Sequence, residues 1–234
     1  MMERSCSKHV VLLGIGHTNA HIVRKWGMEP LDDTDLTCIS DHPIATYSGR
    51  LPAVLAGQIP ASEMEIDLVR LCSSVGARLI IGQVTGIDHE ARQLLFADRP
   101  SIAFDALSIG IGSVPTISGV TISGDSLIKI KPMQTFLDRL AAQVRRAQEQ
   151  SKSEPLRVVV VGSGVAGVEI TFCLPPFLAV HADRPVTQQL VTRSDLVLPD
   201  ASASMRAKVV AEIDRRGVTV KTGAGVTEVH PGTV

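Results

Sequence analysis

The sequence lacks the charge excess, the cysteine spacing and the long apolar run that would point to several classes of protein. Its 234 residues carry a formal net charge of −1, so no basic surface for nucleic acid or acidic lipid is indicated. No apolar stretch is long enough for a transmembrane segment, and no low-complexity tract is present. The four cysteines include no Cys-x-x-Cys pair, which favours reduced thiols in a cytoplasmic protein over a disulfide framework.

The most informative stretch is 157–170, which reads R-V-V-V-V-G-S-G-V-A-G-V-E-I. The four valines predict a buried parallel strand, and a helical pattern follows the glycines as far as Pro175–Pro176. In this context G-x-G-x-x-G is typical of a dinucleotide site. Gly162 permits the tight turn, Gly164 lets a pyrophosphate approach the backbone, and Gly167 lets helix and strand pack closely. The alternative is a glycine-rich turn that binds nothing.

A similar turn follows the predicted strand His9–Leu13. Gly14 and Gly16 fill its first two glycine positions, and Asn19 stands in the third. The turns lie 148 residues apart, counted from Gly14 to Gly162, and they indicate an internal repeat of two dinucleotide-binding units.

Two histidines near the first turn invite a comparison with zinc sites. His17 and His21 are four residues apart, so they could share one face of a helix. No glutamate lies at the required place between them and no third ligand is evident. We therefore expect a pyrophosphate-side or packing role for His17, and no metal site.

The next predicted strand, Leu36–Ile39, should end at the ribose of the bound nucleotide. Asp41 is the candidate acid for the ribose hydroxyls, with Ser40 as the fallback. Residues 41–52 then predict a polar loop containing Tyr47 and Arg50, placed where a cofactor's reactive ring would be lined. A solvated surface loop is the alternative.

The remaining patterns complete an α/β fold. A capping box at 62–65 predicts a helix that ends near Gly76, and apolar runs over 77–87, 93–97 and 102–109 predict an antiparallel meander. A strand over 126–130, a helix over 132–150 and a second strand–helix series follow. We predict two Rossmann-like domains, residues 1–116 with a β-meander insertion and residues 117–234, the second incomplete at its C-terminus.

These features resemble the pyridine nucleotide–disulfide oxidoreductase superfamily. The resemblance rests on the two glycine turns, the meander, and an F-D-x-L-x-I-x-x-G-S-x-P segment at Phe104–Pro115 that contains Gly112. Within the superfamily the chain resembles type II NADH dehydrogenases and sulfide:quinone reductases. The G-x-G-H-x-x-x-H and Y-S-G-x-L-P elements are similar to the flavoprotein domain fused to selenophosphate synthetase.

The resemblance implies two cofactors. Gly14, Gly16 and Asp41 would bind FAD, with Tyr47–Pro52 near the isoalloxazine ring. The second site would bind NAD(P)H through its three glycines, with Glu169 near the nicotinamide.

Three departures from the family pattern qualify these expectations. The Cys-x-x-x-x-Cys pair of the disulfide reductases is absent, so we expect no cysteine to take part in electron transfer. The second ribose strand ends at Thr192-Arg193 instead of an acid, which favours a 2′-phosphate, as in NADPH, or no nucleotide at all. The chain also stops before the segments with which family members continue, so we expect a fragment.

We therefore predict an FAD-dependent NAD(P)H oxidoreductase in which hydride passes from NAD(P)H to FAD and on to a small-molecule or quinone-like acceptor. The cofactors carry this chemistry, so no catalytic side chain is predicted. The alternative is a nucleotide-binding, redox-sensing module fused to, or associated with, a partner enzyme such as selenophosphate synthetase.

Overall fold

A computed structural model describes residues 7–150 and 154–234. Cys6, one of the four cysteines predicted to be reduced thiols, falls outside these ranges. The chain divides into two compact units: a first unit of Met1–Ser48 and Ser62–Val114, and a second unit of Gly49–Ala61 and Pro115–Val234. The domain boundaries expected from the sequence stay a prediction. None of the described helices is long and apolar enough to cross a membrane.

The strands and helices are named here in chain order. The helices are α1 (His17–Met28), α2 (Leu51–Leu55), α3 (Leu68–Ser74), α4 (Phe136–Gln150), α5 (Val165–His181) and α6 (Ala203–Arg215). The strands are β1 (Lys8–Leu13), β2 (Thr34–Ser40), β3 (Ile44–Thr46), β4 (Glu65–Asp67), β5 (Arg78–Ile81), β6 (Val84–Asp88), β7 (Gln93–Phe96), β8 (Ile102–Ala103), β9 (Ala106–Ile109), β10 (Thr121–Ile122), β11 (Leu156–Val161), β12 (Val186–Val191), β13 (Thr219–Lys221) and β14 (Glu228–Val229).

The first unit is built on a parallel sheet with the strand order β5-β2-β1-β9. Successive side chains of a strand point to opposite faces, and both faces of this sheet are covered. On one face Leu12 and Cys38 pack with residues of α1 and α3. On the other face Val11 and Ile39 pack with Leu94 of the meander β6-β7-β8. The sheet therefore has the buried, α/β character predicted from the sequence.

The meander is shorter than predicted because two of its expected runs divide between sheets. The run 77–87 breaks at Gly82, so β5 joins the parallel sheet and only β6 enters the meander. The run 102–109 breaks before Ala106, so β8 pairs with β7 while β9 pairs with β1. Continuous apolar patterns indicate buried strands, but they do not tell which sheet each strand joins.

The second unit repeats the parallel arrangement with β11, β12 and β13 in that order. Its core is formed by apolar side chains of α5, β12, α6 and the loops beside them, namely Val168, Leu190, Val197, Leu198, Ile213 and Val218. Two other predictions were wrong. No strand forms over 126–130, and the helix predicted after the capping box begins only at Leu68, where the Asp67 carboxylate caps it.

Helix α5 does not stop at Pro175 and Pro176, as predicted, but continues to His181. An interior proline lacks the N–H that would bond to the carbonyl four residues before it. Side chains replace both donors. Gln188 Nε2 donates to the Thr171 carbonyl at 3.4 Å, and Arg216 Nη1 donates to the Phe172 carbonyl at 2.8 Å. Tertiary contacts therefore allow the helix to continue beyond two prolines that would otherwise end it.

Candidate functional site

The first glycine turn connects β1 to α1 and packs against the end of β9. Gly14 has φ +76°, and a Cβ there would lie 2.8 Å from backbone atoms of Gly110 and Ile111. The N–H of Gly14 donates to the Ile39 carbonyl at 2.8 Å. Gly16 is different, because the only neighbour of an added Cβ is the Gly110 carbonyl oxygen at 3.5 Å. Protein packing thus requires glycine at position 14 but leaves open space beside position 16.

The second glycine turn has the same construction. Gly162 has φ +101°, and its N–H donates to the Val191 carbonyl at 2.8 Å, as Gly14 does to the equivalent strand residue. A Cβ on Gly167 would lie 1.8 Å from the Gly162 carbonyl oxygen. Within residues 7–150 and 154–234, no atom lies within 4 Å of a Cβ added to Gly164. The turn conformation therefore requires glycine at position 162, and close packing requires it at position 167. Gly164 instead leaves open space beside the backbone.

Both turns leave a helix N-terminus available to an anion. The N-cap residues of α1 and α5 are Gly16 and Gly164, and neither provides a capping side chain. By contrast, Asp67 caps α3 and Ser202 caps α6 through hydrogen bonds to first-turn N–H groups. A helix N-terminus with free N–H groups favours negative charge. Together with the open space at the second glycines, this arrangement fits the pyrophosphate of a dinucleotide.

Asn19, in the third glycine position of the first turn, is buried with 1% of its surface exposed. Its Nδ2 donates to the Gly14 carbonyl at 2.7 Å, and its Oδ1 accepts from the Ser108 hydroxyl at 2.8 Å. The side chain thus joins α1, the glycine turn and β9. It points at the protein interior, so its contribution to a cofactor site would be indirect.

Two rings stand beside the first turn. His17, the exposed first residue of α1, stacks on the half-buried Tyr47 with ring centroids 4.6 Å apart and planes 11° from parallel. The structure therefore brings together two residues that the sequence placed in this site. His21 is exposed. Among the described residues, no group of three or more His, Cys, Asp or Glu side chains could hold a metal ion.

The end of β2 lies at the same edge of the sheet as the first glycine turn, because β1 and β2 are parallel. Ser40 is buried, and its hydroxyl accepts a hydrogen bond from the His42 N–H at 3.4 Å. Asp41 lies just beyond the strand with 70% of its side chain exposed and Oδ2 3.8 Å from His42 Nε2. The exposed carboxylate of Asp41 is therefore better placed than the Ser40 hydroxyl to accept hydrogen bonds from ribose hydroxyls.

The polar loop predicted over 41–52 is largely structured, so that prediction was wrong. Strand β3 pairs with β4, and the Tyr47 N–H donates to the Met64 carbonyl at 2.7 Å. Residues 48–50 form a 3-10 helix ending at Arg50, and α2 follows with Pro52 in its first turn. Proline favours that position, so its presence does not indicate a loop. Arg50 is exposed and belongs to the second unit.

Gly112, within the segment that carries the family resemblance, follows β9. It is exposed, has φ +74°, and would have no atom within 4 Å of an added Cβ. The backbone here, rather than neighbouring side chains, requires glycine.

A short loop over the second glycine turn was not predicted from the sequence. The buried Ser163 accepts a hydrogen bond through its carbonyl from the Leu198 N–H at 2.9 Å. Gly164, Val165 and the loop 198–201 line a small, partly open cavity of ≈ 140 Å³. Nothing in the local pattern marks this loop, because its contact with the turn depends on the position of β12.

The remaining candidates of the second unit lie on exposed surfaces. Glu169 is exposed on the first part of α5. Arg193 is exposed directly after β12, follows the buried Thr192, and forms no ion pair in the described part of the chain. Asp195 lies two residues beyond Arg193 and is also exposed. A cation is therefore available at the end of the second ribose strand, as the sequence predicted.

Two cysteines far apart in sequence meet in the first unit. Cys38 of β2 and Cys72 of α3 are buried in the same apolar cluster. Hydrogen bonding to Cys72 and burial raise the pKa of the Cys38 thiol. The sequence prediction concerned only the spacing of cysteines along the chain, so it did not reveal that Cys38 and Cys72 meet. The absence of a cysteine from electron transfer stays a prediction.

Comparisons with known proteins agree with this architecture. NADH dehydrogenase-like protein YutJ of Bacillus subtilis is 25% identical over 97% of this chain and 60% of its own length. Demethylphylloquinone reductase NdbB of Synechocystis is 24% identical over 71% of this chain and 41% of its own length. The chain thus spans between about two fifths and three fifths of these two relatives.

Solved structures show the same fold at lower identity. Sulfide:quinone oxidoreductase from Aquifex aeolicus superposes with a TM-score of 0.72 at 19% identity, over 96% of this chain and 53% of that one. NDH2 from Plasmodium falciparum in complex with NADH gives 0.72 at 15% identity, over 95% and 49%. The family described as pyridine nucleotide-disulphide oxidoreductase matches residues 8–234. The chain therefore belongs to the pyridine nucleotide-disulphide oxidoreductase family.

Proposed function

We propose that this chain forms the two nucleotide-binding units of an FAD-dependent NAD(P)H oxidoreductase, which passes hydride from NAD(P)H to FAD and then to an acceptor. The family consists of FAD- and NAD(P)H-binding oxidoreductases. The observation that carries the proposal is the repeated glycine turn. Each turn has an uncapped helix N-terminus and an open second glycine, at Gly16 and Gly164.

FAD is assigned to the first unit. The turn at Gly14 and Gly16 would hold the pyrophosphate, and the Asp41 carboxylate would accept hydrogen bonds from the ribose hydroxyls. The stacked His17 and Tyr47 would border the same ligand. Asn19 supports the turn through its hydrogen bond to the Gly14 carbonyl, while Ser40 and Gly112 remain expected contacts from the family resemblance. Arg50 lies in the second unit, and its expected role in cofactor binding stays a prediction from the sequence.

NAD(P)H is assigned to the second unit. Gly162, Gly164 and Gly167 would form the pyrophosphate turn. Glu169 would lie toward the nicotinamide, as the resemblance implies. Arg193 would contact a 2′-phosphate with a charge-assisted hydrogen bond, which favours NADPH.

When bound, the two cofactors supply the hydride chemistry, and the chain binds and orients them. We propose a quinone-like or other small-molecule acceptor, since one relative is named as a demethylphylloquinone reductase. An associated partner enzyme such as selenophosphate synthetase, and a cytoplasmic location, stay predictions from the sequence.

The test is a visible-absorbance titration of the purified chain with FAD, followed by anaerobic addition of NADPH or NADH. We expect saturable FAD binding and bleaching of the oxidised flavin, with colour returning when a soluble quinone is added. Gly16→Val should remove FAD binding, and Gly164→Val should remove bleaching while FAD stays bound. A wild type that binds both ligands without bleaching would support the redox-sensing module instead.

A further inference from the structure

We propose that Asn19 is a positioning residue that holds the first glycine turn in the shape that accepts the FAD pyrophosphate. The proposal rests on the proposed function, because it assigns FAD to this turn. Asn19 is the only asparagine in the chain, and it stands where the second turn has Gly167. Its role differs from that of the glycine it replaces.

The two turns solve one packing problem in two ways. In the second turn, the backbone at Gly167 packs so closely on the Gly162 carbonyl that no side chain fits between them. In the first turn, a whole side chain lies between α1 and the equivalent carbonyl, that of Gly14. Asn19 Nδ2 donates to that oxygen at 2.7 Å and approaches the Leu13 carbonyl at 3.4 Å.

The amide also reaches a second segment of the site. Asn19 Oδ1 accepts from the Ser108 hydroxyl on β9 at 2.8 Å. Two residues later, a Cβ on Gly110 would lie 2.7 Å from Asn19 Nδ2 and 2.9 Å from the Gly14 carbonyl oxygen. One buried amide group, that of the Asn19 side chain, therefore links the turn, α1 and the end of β9.

This position needs a short side chain that both donates and accepts. An aspartate has the same shape but, when ionised, has no hydrogen to donate. Its carboxylate would face the Gly14 carbonyl oxygen in a site that is 1% exposed, where an unpaired charge is costly. Glycine would restore the family pattern but leave the Ser108 hydroxyl and the Gly14 carbonyl without this partner.

The first experiment measures FAD dissociation constants for wild type, Asn19→Asp and Ser108→Ala between pH 5 and 8. We expect Asn19→Asp to weaken FAD binding by about tenfold or more at pH 8. Its binding should recover toward the wild-type value at pH 5, because burial at this position raises the pKa of the carboxyl and the protonated form regains a donor. Arg24→Ala, on the exposed face of α1, is the matched control and should leave FAD binding unchanged.

Ser108→Ala removes one partner and keeps the Asn19–Gly14 bond, so it tests the proposal even if Asn19→Asp does not fold. We expect it to weaken FAD binding by about threefold to tenfold, without the pH dependence. A purely structural role would lower the stability of both variants but would leave the FAD dissociation constant of the folded protein equal to that of wild type at every pH.

The second experiment uses the single asparagine as a spectroscopic probe. Selective ¹⁵N-asparagine labelling yields one side-chain amide pair in the NMR spectrum, and we expect slow solvent exchange, a shift on adding FAD, and a different shift in Ser108→Ala. If wild type binds FAD and both variants bind it as tightly as wild type at every pH, this proposal fails while the proposed function stands. If wild type binds no FAD, the proposed function fails with it.

Discussion

Gly167 packs so tightly on Gly162 that a Cβ on Gly167 would lie 1.8 Å from the Gly162 carbonyl oxygen. We therefore expect Gly167→Ala to destabilise the second unit by several kcal/mol, since helix and turn must separate. Gly164→Val should leave stability near that of wild type, because no atom lies within 4 Å of a Cβ there, but should abolish NAD(P)H binding. Urea unfolding and nucleotide titration measure the two effects. Equal stability losses in both variants would contradict this division.

The first turn offers a parallel test. Gly14 combines φ +76° with a 2.8 Å contact between an added Cβ and the Gly110 backbone, so Gly14→Ala should cost about 1–3 kcal/mol of stability. Gly16→Val should keep the fold and lose at least about tenfold in FAD affinity. Absorbance titration checks affinity and circular dichroism checks folding. Retention of wild-type FAD affinity by Gly16→Val would refute the assignment of this turn to the pyrophosphate.

Arg193 should determine which nicotinamide nucleotide binds better. A charge-assisted contact with a 2′-phosphate is worth about 1.5–3 kcal/mol, which is about ten- to a hundredfold in affinity. We expect tighter binding of NADPH than of NADH, and we expect Arg193→Ala to narrow the difference. Asp195→Asn is the comparison variant, because the Asp195 carboxylate could instead accept a hydrogen bond from the 2′-hydroxyl of NADH. A wild-type preference for NADH, or an unchanged ratio in Arg193→Ala, would show that Arg193 has no such role.

Arg216 should matter more for stability than its neighbour Arg215. Both contact Glu212, but only Arg216 also donates to the Phe172 carbonyl freed by Pro176. We expect Arg216→Ala to lower the free energy of unfolding by about 1–3 kcal/mol. Arg215→Ala, which removes only an exposed ion pair, should cost much less, because such pairs contribute little to stability. Equal losses in chemical denaturation would mean that the carbonyl contact contributes nothing.

Glu212 should make acid stability depend on pH in a defined window. Hydrogen bonds from Arg215 and Arg216 lower the pKa of its carboxyl from 4.5 to about 2. A carboxyl with a lowered folded-state pKa stabilises the protein above its unfolded pKa, and this contribution is lost as the pH falls through the folded value. The stability difference between wild type and Glu212→Gln should therefore shrink between pH 4.5 and 2. Denaturant midpoints measured across that range give the answer, and a constant difference would contradict it.

The sequence predicted those parts of the fold that depend on local pattern. The valine run before Gly162 and the glycine positions identify a strand, a turn and a helix, because each glycine meets a backbone requirement that few other residues satisfy. The position of Asp41 directly after β2 could be predicted in the same way, since the end of the second strand has a fixed place in a βαβ unit, while its role in binding ribose stays a prediction.

The errors arose where distant residues decide the outcome. The sequence indicated that α5 stops at Pro175, because the donors from Gln188 and Arg216 come from residues 13 and 40 positions further along the chain (188 − 175 and 216 − 176). The pairing of Cys38 with Cys72 and the loop 198–201 over the second turn were missed for the same reason. Neither leaves a signal in the local sequence.

The two prolines in α5 also bear on the order in which the second unit folds. The first part of this helix can form all of its own backbone hydrogen bonds. An isolated helix of this length is nevertheless only marginally stable. The part beyond Phe172 depends on donors from β12 and from the residue after α6, neither of which has left the ribosome when α5 is made. We therefore expect that half of the helix to form late in folding, only after β12 and the segment around Arg216 have docked.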